Sequence, residues 1–410
     1  MTEPAPVPAV SSSSVGSPHT SEGAAGFALA PGFRAAGVTA GLKPSGKPDV
    51  ALVVNDGPIR TAAGVFTSNR VQAAPVRWSR RVLAGGEVDA VILNSGGANA
   101  CTGPAGDADT AATAAHLAQH LGSSAERIAV CSTGLIGERL DMPRLLAGVD
   151  RAVAAATASG GPDAAVAILT TDTVSKTVTV DGDGFVVTGM AKGAGMLAPG
   201  LATMLVVLTT DAVADAAQLD AALRAATRGT FDRLDSDGAM STNDTVLLLA
   251  SGASGVLPEP EPLEAAVLAA CDRLARALLA DAEGATKEIS IEIRGAAGED
   301  DAVRVGRAVA RNNLVKTAFF GGDPNWGRIL AAVGTVGTGD AAFDADDLDV
   351  AINGVWVCRS GAAGEPRSAV DLSARAVHVV IDLHAGDASA VILTNDLSHG
   401  YVHENSAYST

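Results

Sequence analysis

Between Lys192 and Asp211 the chain changes character abruptly. Lys192-Gly193-Ala194-Gly195-Met196-Leu197-Ala198 is a glycine-rich turn that stops at Pro199-Gly200, and Leu201-Ala202-Thr203-Met204-Leu205 then opens an apolar run through Val206-Val207-Leu208 to Thr209-Thr210-Asp211. A run of this length without polar alternation predicts a strand buried on both faces. A hydroxyl sits where that strand begins: Thr203 follows a loop that three glycines and a proline free from ordinary backbone limits, with Lys192 the nearby cation. From that position Thr203 can attack the carbonyl before it. Breaking Ala202-Thr203 makes Thr203 an N-terminus whose α-amine, with a reference pKa of roughly 7.7 to 8.0, is a general base within reach of its own hydroxyl. Two plainer readings compete. A threonine opening a buried strand can be purely structural. Gly193 to Ala198 also fits a loose G-x-G-x-x-A dinucleotide fingerprint, but that motif needs a helix after it, and here a proline and a strand follow.

The wording of Lys192 to Leu205 resembles the self-cleavage segment of the ornithine acetyltransferase family, also called the arginine-biosynthesis bifunctional glutamate N-acetyltransferases. The resemblance implies a precursor cut between Ala202 and Thr203, with Thr203 the acyl-carrying nucleophile. Gly200 departs from the Asn or Ser more usual there, which touches loop flexibility and not the chemistry.

Composition is compatible with this. The chain has 410 residues, enough for two or three cores, with 47% hydrophobic residues but only 3% aromatic ones, so the interior must be built from Ala, Val and Leu. A net charge of −17 offers no basic patch to neutralise phosphates, which argues against a nucleic acid or an anionic membrane as partner. Cys101, Cys131, Cys271 and Cys358 lie far apart with no C-x-x-C pair, which suits a reduced, metal-free cytoplasmic protein. Residues 1–24, rich in Pro, Ser, Ala and Gly with neither a basic nor an apolar leader segment, read as a disordered tail.

Further along, Phe33 to Val38, Val50 to Val54 and Ala62 to Phe66 read as strands with antiparallel pairing, the last two joined by an Asn55-Asp56-Gly57-Pro58 turn. Val88 to Asn94 is a buried strand ending in Ser95-Gly96-Gly97, a tight loop without the G-K-[ST] of a phosphate loop, and Asp107 to Leu121 is helical. Ile128 to Gly134 is a strand running into Ser132-Thr133-Gly134, with a helix from Asp141 to Ala158. A Thr-Gly turn of this kind is commonly structural, yet its hydroxyl and backbone N–H are the paired donors an oxyanion hole needs. Ala164 to Leu169 reads as a short strand delivering Thr170-Thr171-Asp172-Thr173. A long helix from about Pro262 to Asp281 ends near Glu283, whose charge opposes the helix dipole and calls for a cation, Lys287 being the plain candidate. Glu288 to Arg294 alternates as a half-buried strand, Val350 to Val357 is a hairpin around Asn353-Gly354, and Ala376 to Leu383 and Ala388 to Leu393 are strands. The last ten residues would ordinarily fray.

The family pattern, which extends over about Gly26 to Thr410, assigns roles to several of these residues. Ser132-Thr133-Gly134-Leu135-Ile136-Gly137 matches its oxyanion segment, which gives Thr133 and the N–H of Gly134 that role. Thr170 (preferred over Thr171), Lys192, Thr203, Glu283, Asn405 and Thr410 match its substrate-binding positions. Gly321 to Arg328 is worded as in the family and reads as packing around the site; His399 and His403 read as structural. The resemblance implies a layered α/β sandwich of two intertwined fragments, 25–202 and 203–410, pairing as α2β2, and transfer of acetyl from N2-acetyl-L-ornithine to L-glutamate. It implies no cofactor or metal and leaves open whether acetyl-CoA is a further donor. A self-cleaving N-terminal-nucleophile amidohydrolase or aminopeptidase is the alternative.

Overall fold

The computed structural model describes residues 26–196 and 204–407. Two sheets face each other at its centre. The first has the order β1 (Phe33–Val38), β2 (Val50–Asn55), β4 (Ala90–Asn94), β5 (Ile128–Ser132). The second runs β3 (Ala62–Phe66), β9 (Thr245–Ala250), β8 (Leu205–Thr210), β7 (Val186–Lys192), β6 (Lys176–Asp181). The central strands are buried on both faces, while the edge strand β6 alternates buried with exposed residues, and the two-residue side-chain period sorts the faces. Ala51, Val53, Val91 and Leu93 of the first sheet meet Leu205, Val207, Leu247 and Leu249 of the second in one buried cluster. Val50, Leu52, Ala90 and Ile92 turn the other way, under α2 (Gly103–Leu121) and α3 (Met142–Ala155). Val206, Leu208, Val246 and Leu248 pack beneath α5 (Ala216–Gly229) and α6 (Pro260–Ala280). The result is helix, sheet, sheet, helix. The unalternating run after Thr203 is thus a strand covered on both faces, as its composition required, and the expected layered α/β architecture is present.

A third sheet, ordered β13 (Ala362–Ala363), β12 (Val355–Arg359), β11 (Asp349–Ile352), β14 (Ala376–Asp382), β10 (Glu288–Ala296), β15 (Ala388–Asn395), carries its own core beneath α7 (Glu299–Ala310) and α9 (Trp326–Val333), with α8 (Asn313–Phe320) between those helices. The β11–β12 turn has positive φ at Asn353 (48°) and Gly354 (84°), the left-handed pair that an Asn-Gly hairpin selects. Local chemistry sets the helix ends: Asp215 and Gln218 form a reciprocal capping box at α5, and Asp141 caps α3 by accepting the Arg144 N–H.

Several expectations are corrected. The segment expected as a strand at Ala164 to Leu169 is helix α4 (Gly161–Ala167), started by Pro162 in its first turn. A Cβ at Gly160 would lie 1.9 Å from the Ala35 carbonyl oxygen, so α4 is drawn tightly onto β1, and its small residues serve that approach. β3 leaves β2 altogether and pairs antiparallel with β9 in the second sheet; of the three strands, β1 and β2 pair with each other, and β2's other antiparallel neighbour is β4. Glu283 is not in the last turn of α6, which ends at Ala280; its N–H donates to the Ala194 carbonyl. Of the last ten residues, Tyr401 to Ala407 belong to helix α10 (His399–Ala407), not to a frayed end, as the resemblance implied; α1 (Ala74–Leu83) is the first helix among the described residues.

Candidate functional site

β7 ends at Lys192 and its antiparallel neighbour β8 begins at Leu205, and the two residues are register partners. The segment that carries the expected cut therefore connects two adjacent strands of one sheet. Ala202 and Thr203 themselves lie outside the described residues, as does Thr410. What flanks the cut is well defined. On one side Met196 N–H donates to Asp237 Oδ2 (2.7 Å), and on the other Met204 N–H donates to Asp244 Oδ1 (3.0 Å).

Lys192 is 1% exposed at the centre of this region. Its Nζ donates to Thr133 Oγ1 at 3.3 Å, so the Thr133 hydroxyl accepts from the ammonium and keeps its own proton to donate elsewhere. Burial drives the Lys192 pKa below the ordinary lysine value, opposed by the negative charges of Asp172, Asp244 and Glu283. Thr133 is fixed from both sides: its N–H donates to the Asn94 carbonyl (2.9 Å) and its carbonyl accepts from Gly97 N–H (3.1 Å). Gly134 follows at φ +129°, and a Cβ there would come within 2.8 Å of the Gly97 nitrogen, so only glycine fits. The structure thus brings Lys192 to the Thr133-Gly134 turn across 59 residues of sequence.

Glu283 forms a second node. Its Oε1 accepts from Thr171 Oγ1 (2.8 Å) and its Oε2 from Asn405 Nδ2 (2.9 Å). A Cβ on Gly195 would sit 2.6 Å from Oε2, so the carboxylate rests directly against the glycine-rich loop. Thr171, not Thr170, is the hydroxyl that reaches Glu283; the choice between opposite strand faces does not arise, because both threonines lie in the bend after α4, and Thr170 is held through its N–H on Asp172 Oδ2 (3.0 Å). Lys287 does not serve Glu283: its Nζ donates to the Leu372 and Ala374 carbonyls. α10 is brought to Glu283 by Ser398 Oγ donating to the Gly284 carbonyl, and by Gly284 at φ +60°, where a Cβ would fall 2.1 Å from the Tyr401 nitrogen.

Four residues without an assigned role in the sequence support this cluster. Asp172 Oδ1 accepts from Gly193 N–H (2.6 Å) and from the fully buried Lys176 (2.7 Å), which also reaches Asp281 Oδ2 (2.6 Å). Burial raises the Asp172 pKa, but the Lys192 and Lys176 charges outweigh it and hold the carboxyl at about 2. Asn243 Nδ2 donates to the carbonyls of Ala98 (2.6 Å) and Ser132 (2.8 Å), tying the first sheet's loops to the approach of β9. Asp237 accepts from Tyr401 Oη at 3.4 Å as well as from Met196. Asp244 is fully buried, which lifts its pKa well above the carboxylate range. The signal was the polar string Ser241-Thr242-Asn243-Asp244-Thr245 directly before an apolar strand, where water-exposed turn residues would have been the ordinary expectation. In the Gly321 to Arg328 segment, Trp326 lies against the third sheet's core.

Fold and cluster describe a layered α/β protein with a buried lysine, hydroxyl and carboxylate cluster beside the β7–β8 connection. Residues 34–410 match the ArgJ family model, and the chain belongs to the ArgJ family. It is 64% identical over 381 residues to the arginine biosynthesis bifunctional protein ArgJ of Streptomyces coelicolor, covering 93% of this chain and 99% of that one. It is 57% identical over 396 residues to the protein of the same name from Mycobacterium leprae, with 94% and 96% covered. An ornithine acetyltransferase solved in complex with ornithine, from Mycobacterium tuberculosis, is similar at 51% identity over 45% of this chain and 97% of that one, with a TM-score of 0.40. Among the described residues no helix is long and apolar enough to cross a membrane.

Proposed function

We propose that the chain is a self-cleaving acetyltransferase of arginine biosynthesis that moves acetyl from N2-acetyl-L-ornithine to L-glutamate through an acetyl-Thr203 ester. In maturation, Thr203 Oγ attacks the Ala202 carbonyl and its proton passes to the leaving nitrogen; the Ala202–Thr203 C–N bond breaks, which frees the Thr203 α-amine, and water then hydrolyses the ester formed, releasing the Ala202 carboxylate and the Thr203 hydroxyl. In turnover that amine takes the hydroxyl proton while Oγ attacks the acetyl carbonyl, whose oxyanion is stabilised by Thr133 Oγ1–H and Gly134 N–H. Lys192, paired to Thr133, keeps positive charge beside that oxygen. Its charge also disfavours protonation of the Thr203 amine, which keeps the base neutral. Ornithine leaves, and the neutral amine of glutamate attacks the ester.

The observation that carries this reading is the Glu283 carboxylate, clamped by Thr171 and Asn405 against Gly195. The two donors are neutral and leave the carboxylate's charge uncompensated, so it can orient an ammonium such as that of the ornithine side chain. Thr170, Asn405 and Thr410 complete the substrate-binding set. A self-cleaving amidohydrolase would share the nucleophile and the oxyanion donors but deliver the acyl group to water. A transferase has to hold its acceptor over the ester, and well-oriented groups reach effective molarities of roughly 10⁵ M or more, enough to outcompete solvent.

Steady-state kinetics test the proposal. Parallel double-reciprocal lines with N-acetylornithine and glutamate, together with an acetylated Thr203 peptide trapped without acceptor, are expected; intersecting lines or release of acetate at the rate of ornithine would sink it. Assaying glutamate with acetyl-CoA alone decides whether a second donor is used. The two fragments, 1–202 and 203–410, pair as α2β2 in this reading, with the small molecules as the other partners, in the cytoplasm.

A further inference from the structure

Away from the site, on the outer helical layer, α2 carries His116 and His120 one turn apart, and α3 carries Asp150 opposite them. His116 Nε2 lies 2.6 Å and His120 Nε2 2.7 Å from the same oxygen, Asp150 Oδ1. The rings stand edge to face, 5.0 Å between centroids, and all three side chains are open to solvent, 28%, 39% and 51% exposed. We infer that His116, His120 and Asp150 form a binding site for a divalent transition-metal ion of the Zn²⁺ type, bridging α2 and α3.

An i, i+4 pair on a helix shares one face, so both imidazoles can direct Nε2 to one point. The neighbouring helix supplies the third ligand, and the three ligand atoms lie within 4.8 Å of one another. In a tetrahedral shell with Zn–N and Zn–O bonds of about 2.0–2.2 Å, ligand atoms stand roughly 3.3 Å apart. Reaching that from the present spacing needs only rotation of exposed side chains, and water can take the fourth position. Simple ion pairing does not account for the arrangement as well. An exposed pair contributes about 0–1 kcal/mol, and a second imidazole on an oxygen already taken adds less. Among the described residues, the other histidine–carboxylate contacts have one imidazole each, as at His378 with Glu292 and at His384 with Asp349 and Asp382. Two further features favour a cation here. His120 is in the last turn of α2, where unpaired carbonyls give the helix end negative character. Two imidazoles and one carboxylate also select zinc, copper, nickel or cobalt over magnesium or calcium, which prefer all-oxygen sites.

The test uses the full-length processed protein carrying Cys101→Ser, which removes the exposed thiol as a competing ligand. After treatment with EDTA and dialysis, titration with ZnCl2 by calorimetry is expected to show one saturable site per 410-residue chain. His120→Ala and Asp150→Asn are each expected to weaken it at least tenfold, and millimolar MgCl2 should not compete. At saturation Tm should rise by about 2–4 °C in the parent and not in His120→Ala. Circular dichroism in EDTA confirms that each variant is folded, and His116→Gln replaces any that is not. Equal zinc affinity in parent and variants, absence of a saturable site, or displacement by magnesium would each overturn the inference.

Discussion

At the residue scale the cluster turns on charge held out of water. Glu283 keeps its geometry through two neutral hydrogen bonds, so Glu283→Gln retains the shape and removes the charge. We expect kcat/KM for N-acetylornithine, whose side chain carries the ammonium, to fall at least 10²-fold, about 2.7 kcal/mol of transition-state stabilisation, with cleavage at Thr203 intact by mass spectrometry; unchanged kinetics would remove Glu283 from the pocket. Gly195→Ala should produce a related defect by a different route, since its Cβ would stand 2.6 Å from the same carboxylate. Asp172 gives a pH-dependent outcome. Its folded pKa, about 2, lies below its ordinary 3.8, so its contribution to stability is present above pH 3.8 and is lost as pH falls toward 2. Asp172→Asn should therefore lower stability at pH 7 by about 2 kcal/mol, from the shift at 1.36 kcal/mol per unit, and flatten the stability curve between pH 4 and 2. Urea unfolding at pH 7, 4 and 2 measures both effects.

At the element scale α10 is an exposed, polar helix that contributes no buried residue to a core. What holds it is Ser398 on the Gly284 carbonyl, the His399 ring edge-to-face with Phe320, Tyr401 on Asp237 and Asn405 on Glu283. A segment attached by so few contacts can be removed at small cost to the folded body, but its removal takes Asn405 from the pocket. Deleting Asn405 to Thr410 should thus reduce glutamate acetylation far more than self-cleavage. Equal acetylation by the truncated and full chains would show that the tail lies outside the pocket.

At the scale of the whole molecule, the proposed cut separates two adjacent strands of one sheet without breaking a backbone hydrogen bond between them, since β7 and β8 stay paired from Val187 with Thr210 to Lys192 with Leu205. β3, β6 and β7 would come from one fragment and β8 and β9 from the other, all around the same buried cluster. The active protein should accordingly run as two pieces, 1–202 and 203–410, in denaturing electrophoresis and as one particle in native gel filtration, and Thr203→Ala should stay uncut. Active protein containing only the 410-residue species would remove the mechanism. Much of this was already legible in the chain. Strand and helix identity followed from periodicity and the hairpin at Asn353-Gly354 from turn chemistry, whereas the candidate roles of Thr133, Lys192, Glu283 and Asn405 were implied by the resemblance of their segments to the family's and not by the residues alone. Periodicity and turn chemistry are properties of a short window: whether a residue is apolar, how its neighbours alternate, whether a backbone needs glycine. The sequence did not reveal that Ala164 to Ala167 would be helical, that Thr171 would be the threonine facing Glu283, or that Asp172, Asp237, Asn243 and Asp244 would hold the loops in place. Each depends on which distant segment arrives at a given point, and burial and hydrogen-bond satisfaction are settled only when both partners are present. A short apolar, alanine-rich run has too little periodicity to choose its own secondary structure, and the close approach to β1 decided it. A polar string before a buried strand looks like any turn until the tertiary structure removes its water and supplies the N–H groups that replace it.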